Sequence, residues 1–239
     1  MQLPELPAIP HVWRVTDLAR EDEVLPSGHA ALDGQLPGGG WPVGGLVELL
    51  QVLPQAHVWQ LLLPALAAAA ALQPGPLVLV GAPHPPFGPA LAAQGLPAER
   101  LLWIRTDRAA ARLWAAEQSL RCADVIGLLA WLPQVRPQEL RRLHLAARQH
   151  RKLLFVVRGL QALGQASPAP LRLVLEGLDP MQVRIVKRKG PPLEEPLVLP
   201  ALPERLRALL ASRRRAPQAL PVSLAERRSH VLDRLVTEP

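Results

Sequence analysis

The chain has 239 residues, enough for one sizeable domain with appendages and a substantial buried core. With 49% hydrophobic and 20% charged residues it is globular rather than disordered, and its formal net charge of +7 favours acidic partners, nucleic acid first and an acidic protein surface second. A single cysteine, Cys122, excludes an intramolecular disulfide and a cysteine-based zinc site and fits a reducing cytoplasm; the start MQLPELPAIP is not a signal peptide. The longest apolar run, residues 61–72, contains Pro64 and falls short of the roughly 20 residues that a bilayer span needs, so no membrane association is expected.

Residues 1–24 read as an N-terminal arm, with Val12, Val15 and Leu18 on one face of a short helix. A polar lead-in and a glycine-rich turn then introduce a strand at 46–50, a loop reading QVLPQAHV, and an alanine- and leucine-rich helix at 57–72 that is apolar nearly all round and therefore buried. A second strand spans 77–80 between Gly75 and Gly81, a short helix 89–94, and a third strand 101–105. Thr106 or Asp107 is placed to cap a helix running to Arg121, with Ala110, Leu113, Trp114 and Leu120 facing inward. A fourth strand spans 125–132. The helix at 137–149 buries Leu140, Leu143 and Ala147 and turns Arg141, Arg142 and Arg148 to water, and a fifth strand covers 153–157.

Five short, continuously apolar strands separated by helices predict an α/β fold, a mostly parallel sheet flanked by helices on both faces. Two further strands, 171–175 and 181–186, are joined by the turn at 177–180 and read as an antiparallel hairpin extending that sheet. From residue 200 the composition changes. One basic amphipathic helix carries Leu206, Leu209 and Leu210 on one side and ends in Arg213, Arg214 and Arg215; a second carries Leu224, Val231 and Leu235, with Ser223 and Glu226 spaced as a capping box. The chain thus divides into an arm (1–24), a core (25–199) and a helical basic tail (200–239) suited to partner binding.

The stretch SGHAALDGQLPGGGWPVGGLVEL, with Gly28, Leu32, Asp33, Gly39, Gly40, Pro42, Gly44 and Glu48, resembles the segment that runs into the nucleotide-binding strand of the RecA recombinases. More closely, LPSGHAALD, LPGGGWP, LLLPAL, GAPHPPFGPAL, LWAAEQSLR, LLAWL, RRLHLAARQ and SPAPLRL resemble the ImuA family of RecA-like bacterial proteins, often labelled SulA-like, over roughly residues 24–175. That resemblance implies a RecA-like core and a place in the SOS response to DNA damage, in the mutasome of error-prone translesion synthesis. The implied partner is ImuB, an inactive relative of Y-family polymerases, with RecA a further candidate.

A P-loop needs glycines to wrap phosphates, a lysine for their oxygens and a hydroxyl for magnesium. Laid on that pattern, Ala56 stands at the last glycine, His57 at the lysine and Val58 at the hydroxyl, so all three functions are missing and no cofactor is expected. Where the resemblance places RecA's catalytic glutamate the chain has Ala82, Pro83 and His84, and where it places the magnesium aspartate it has Leu129 or Ala130. Glu117 lies within a helix and reads as a surface or helix-pairing residue; His57 and His84, without nearby acids, do not make a metal site. Trp41, Trp59, Trp103, Trp114 and Trp131 read as core or loop-packing aromatics, with Trp41 the candidate for exposure to a partner. Residues 160–170, where RecA places a mobile DNA-binding loop, are short and uncharged.

Two basic clusters remain as binding elements for DNA phosphates or an acidic protein surface: Arg184, Lys187, Arg188 and Lys189 on the hairpin, and Arg213 to Arg215 in the tail. The expectation is a cytoplasmic, non-enzymatic adaptor. The alternatives are a DNA-stimulated ATPase with an unorthodox site and a SulA-like cell-division inhibitor.

Overall fold

A computed structural model describes residues 23–51, 57–177, 180–191, 193 and 195–200. The expected arm helix with Val12, Val15 and Leu18 lies outside the described residues. So do both tail helices, with Leu206, Leu209, Leu210, Arg213, Arg214 and Arg215, and so does Ala56.

The first described elements are a two-stranded antiparallel ribbon of β1 (Val24–Leu25) and β2 (Trp41–Pro42), which bracket the short helix α1 (Ala30–Asp33). The chain then enters β3 (Leu46–Gln51), helix α2 (His57–Leu72), β4 (Leu77–Val80), α3 (Gly88–Ala92), β5 (Leu101–Ile104) and α4 (Ala109–Arg121). It continues through β6 (Gly127–Trp131), α5 (Pro137–His150), β7 (Leu153–Gly159), β8 (Leu171–Glu176), β9 (Met181–Lys187) and β10 (Leu197–Leu199).

Strands β3 to β10 form one eight-stranded sheet in the order β10-β9-β8-β3-β7-β6-β4-β5. All pairs are parallel except those of β9, which runs against both β8 and β10. The architecture is therefore the α/β, mostly parallel sheet flanked by helices that the sequence predicts. The central strand β3 is buried at every position, as a strand covered on both faces must be.

Side-chain parity separates the two faces. Val47, Leu49, Leu79, Leu129, Phe155 and Leu173 join the layer of α2, whose Leu61, Leu62 and Leu63 are buried with them. Leu46, Val78, Val80, Leu128, Ala130 and Val156 join α4 and α5 through Ala116, Leu120, Leu140 and Leu143. Trp41, the candidate for exposure, is instead fully buried and packs edge-on to Phe155 at a centroid distance of 5.5 Å. Helix α5 buries Leu140, Leu143 and Ala147 and exposes Arg141, Arg142 and Arg148, as its periodicity predicts.

Helix α4 departs from expectation in two ways. Its N-cap is Arg108, with no side-chain cap, rather than Thr106 or Asp107. Thr106 lies two residues before that N-cap, its carbonyl accepting from Arg112 Nε at 2.7 Å. The helix is also rotated: Ala115, Ala116, Glu117, Ser119 and Leu120 face inward, Ala110 is exposed, and Trp114 is 65% exposed. Two adjacent alanines let the backbone approach its neighbours closely, and Glu117 turns toward α5, so the large ring is carried to the outside. The ribbon β1–β2 and the short β10 are additional to the strands read from sequence. Among the described residues no helix is long and apolar enough to cross a membrane.

Candidate functional site

The lead-in motif works as a clamp on α2. The Ser27 N–H donates to Asp33 Oδ1 at 2.8 Å, the His29 N–H donates to Ser27 Oγ at 3.1 Å, and Leu32 is fully buried. Gly28 has φ +82°, and a Cβ there would sit 2.4 Å from the Cβ of Pro64. Pro64 lies inside α2 and has no N–H for the carbonyl one turn back. The His29 ring packs against this turn, its Nε2 donating to the Leu61 carbonyl, the neighbour of the Gln60 carbonyl that Pro64 leaves without its helical donor, at 3.2 Å. Burial holds the His29 pKa below its ordinary value, against the opposing pull of the Leu61 and Gln60 carbonyls and Asp33.

At the P-loop positions, His57 opens α2, and Val58, standing at the hydroxyl position, is 1% exposed and packed in the core. After β4, Ala82 is half-buried while Pro83 and His84 are exposed; Leu129 and Ala130 are buried within β6. Among the described residues no three His, Cys, Asp or Glu side chains converge to hold a metal.

Sequence reading missed the charged cluster in the middle of the sheet. Glu48, Arg158 and Arg172 sit on three adjacent strands, β3, β7 and β8, on the α4/α5 side, and all three are buried. Arg158 Nη1 donates to Glu48 Oε1 and Arg172 Nε to Oε2, each at 2.7 Å. The remaining donors reach into the loops: Arg172 Nη2 to the Ala162 carbonyl at 2.8 Å, and Arg158 Nη2 to Gln165 Oε1 at 2.7 Å and the Val135 carbonyl at 3.2 Å. Segment 160–170 is thereby tied to the sheet at Ala162 and Gln165, and Ala162 and Ala169 are buried. The signal for this cluster was present: a buried charge requires a partner, and one charged residue stands in each of the runs LVELL, LLFVVRG and LRLVL.

Glu117 pairs helices, as one of its sequence readings has it: it is buried in α4 and meets Arg142 Nη2 of α5 at 2.6 Å. On α5, His144 Nδ1 accepts the Leu46 N–H at 3.1 Å, at the entrance to β3. Burial lowers the His144 pKa, and the charges of Arg148 and Arg141 lower it further.

The hairpin cations are placed as follows. Arg184 meets Glu176 across β8–β9 at 3.2 Å, and both are partly exposed. Lys187 Nζ donates to the Ser167 carbonyl at 2.9 Å, a further tie on segment 160–170. Arg188 donates to the carbonyls of Pro191 at 2.8 Å and Gln35 at 2.5 Å, and Lys189 is exposed.

At the carboxyl ends of the strands lies a cleft of about 510 Å³, within the roughly 300–1,000 Å³ range of ligand sites. It sits where the chain leaves β4 for β5 on one side and returns to β6 on the other, the switch point at which open α/β sheets bind their ligands. Gln51 ends β3 at its margin, Trp103 stands near the end of β5 with Arg105 just after it, Trp131 ends β6 and Arg158 lines the cleft from β7. The Arg105 guanidinium lies 5.0 Å from the Trp103 ring centroid, and Arg112 enters from α4. Sequence reading named Trp103 and Trp131 only as packing residues and passed over both arginines.

No family model matches the chain. Among curated proteins it is similar to a protein of Edwardsiella piscicida named cell division inhibitor SulA, with 31% identity over 112 residues, 47% of this chain and 67% of that protein.

Proposed function

The chain belongs to the SulA family, and from that membership we propose that it is a non-catalytic, RecA-like accessory protein of DNA-damage-induced, error-prone translesion synthesis. In this reading it is an adaptor. The core supplies a RecA-shaped surface, and the tail, through Leu206, Leu209, Leu210 and Arg213 to Arg215, engages an ImuB-type polymerase-like partner. Arg184, Lys187, Arg188 and Lys189 add a basic surface toward DNA or protein, and RecA filaments are a further target.

The observation that carries the reading is how the core uses its buried carboxylates. Glu48 is held by Arg158 and Arg172, and Glu117 by Arg142, while the strand-end positions implied for catalysis carry Ala82, Pro83, His84, Leu129 and Ala130. Phosphoryl transfer works through phosphate cradling and metal positioning, and these residues supply neither. The test is a pull-down of the polymerase-like protein with the full chain and with a chain ending at residue 199. The tail is assigned correctly if the shorter chain loses the partner; retention of binding sinks the assignment.

A second reading, a cell-division inhibitor, is favoured by the name of the Edwardsiella piscicida relative. Binding to the division tubulin homologue, with none to the polymerase-like protein, would establish it over the first.

A further inference from the structure

We infer that the cleft at the carboxyl ends of β3 to β7 is a binding site for an extended, acidic segment of a partner protein. This goes beyond the adaptor reading, which places binding on the tail and the hairpin. The argument begins with charge. Two arginines, Arg105 and Arg112, face the cleft with one acid, Asp107, and that acid is fully exposed and 4.0 Å from Arg112 Nη2. Arg158, behind them, belongs to a cluster of two arginines and one glutamate, so it adds a second excess positive charge. The site therefore attracts a carboxylate.

Hydrogen bonding narrows the occupant further. Three lining residues carry a buried polar atom with no partner among the described residues: Gln51 Oε1, an acceptor, and Trp103 Nε1 and Arg158 Nε, both donors. Gln51 is 4% exposed and Arg158 3% exposed. Unpaired buried groups are rare in folded proteins and costly. A peptide supplies both kinds of partner, N–H and C=O, alternately along its backbone. A polyphosphate supplies acceptors alone, and the sequence that follows β3, QVLPQAHV, lacks the glycines and lysine that phosphates require.

The walls suit apolar side chains between the carboxylates: the Trp103 and Trp131 rings, and Pro83, Pro85 and Pro133, whose backbones are stiff. The tail of this chain has the wrong charge for the site, since residues 201–239 carry eight arginines against four acids. Residues 1–22, with four acids against two arginines, are the segment of this chain that the test has to exclude.

The experiment pans a random dodecapeptide display library on the full chain and measures recovered peptides by fluorescence anisotropy. Acidic peptides with apolar residues between the carboxylates are expected. They should bind Arg105→Glu, whose side chain is exposed, roughly tenfold more weakly or worse, while a control, Arg121→Gln at the exposed far end of α4, keeps wild-type affinity. Arg112→Gln, checked by circular dichroism for an intact fold, should weaken binding in the same direction. Failure to recover acidic peptides, indifference to both cleft variants, or displacement by oligothymidylate would each overturn the inference. Displacement by a synthetic peptide of residues 1–22 would assign the cleft to the arm of this chain and overturn the assignment to a partner.

Discussion

Two groups of arginines in this molecule are chemically alike and physically opposite. Arg158 and Arg172 lie inside the sheet, each at 2.7 Å from Glu48, with their other donors bonded to loop carbonyls and Gln165 except Arg158 Nε, which has no partner among the described residues. Arg105 and Arg112 lie at the mouth of the cleft near the β5 edge, where one is stacked on Trp103 and the other faces a fully exposed aspartate. The first group serves structure first, with Arg158 alone also lining the cleft, and the second lies at its surface. Net charge counts both equally, which is why a value of +7 overstates the surface available to nucleic acid.

The largest test of this contrast is Glu48→Gln. It leaves two buried guanidinium groups without their carboxylate, and urea denaturation should show a loss of about 3–5 kcal/mol. A loss under about 1 kcal/mol, the level of an exposed pair, would mean that the cluster is solvated after all. Next comes Gly28→Ala, which drives a Cβ into Pro64 at a backbone angle disfavoured by L-residues; overpacking of this kind costs about 1–3 kcal/mol, read from the same denaturation curves. A neutral outcome would break the claim that the lead-in clamps α2.

The histidines make a smaller, pH-dependent test. The folded-state pKa values of His29 and His144 lie below the ordinary 6.5, so the unfolded chain binds more protons in the window beneath that value. The stability contributed by the neutral rings is full above pH 6.5 and is lost as pH falls from there toward the depressed folded values. Protonating His144 Nδ1 also removes the acceptor of the Leu46 N–H. Thermal melts from pH 7.5 down to about 5 should fall more steeply for wild type than for His144→Asn; equal slopes would remove His144 from the account. Smallest is Arg184→Gln, which breaks a partly exposed cross-strand pair and should cost under about 1 kcal/mol in the same unfolding assay.

Much of the sheet could be read from the chain because its strands are buried on both faces and leave continuous apolar runs such as LVLV and LLAWL. The hairpin of β8 and β9 followed from two short strand-like segments, the second alternating apolar and polar residues, and a glycine turn. The ribbon and β10 are only two or three residues long, too short to show a period. Trp114 was misplaced because a period alone ranks faces by bulk, whereas α4 is oriented by two small residues and by the Glu117–Arg142 pair.

The site was legible to different degrees. The loss of glycine, lysine and hydroxyl in QVLPQAHV could be read directly. The Glu48 cluster could have been found by asking what pays for a charge within an apolar strand. The cleft could not, since it brings together residues from the ends of five strands, and their meeting depends on the strand order β7-β6-β4-β5 rather than on any local pattern.

The central proposal, that this α/β core is a scaffold rather than an ATPase, is tested most directly by equilibrium dialysis of magnesium-ATP against the full chain, with and without single-stranded DNA. The account predicts no saturable binding up to millimolar ATP and no turnover above a protein-free blank. Saturable binding with DNA-stimulated turnover, lost on His57→Ala, would contradict it.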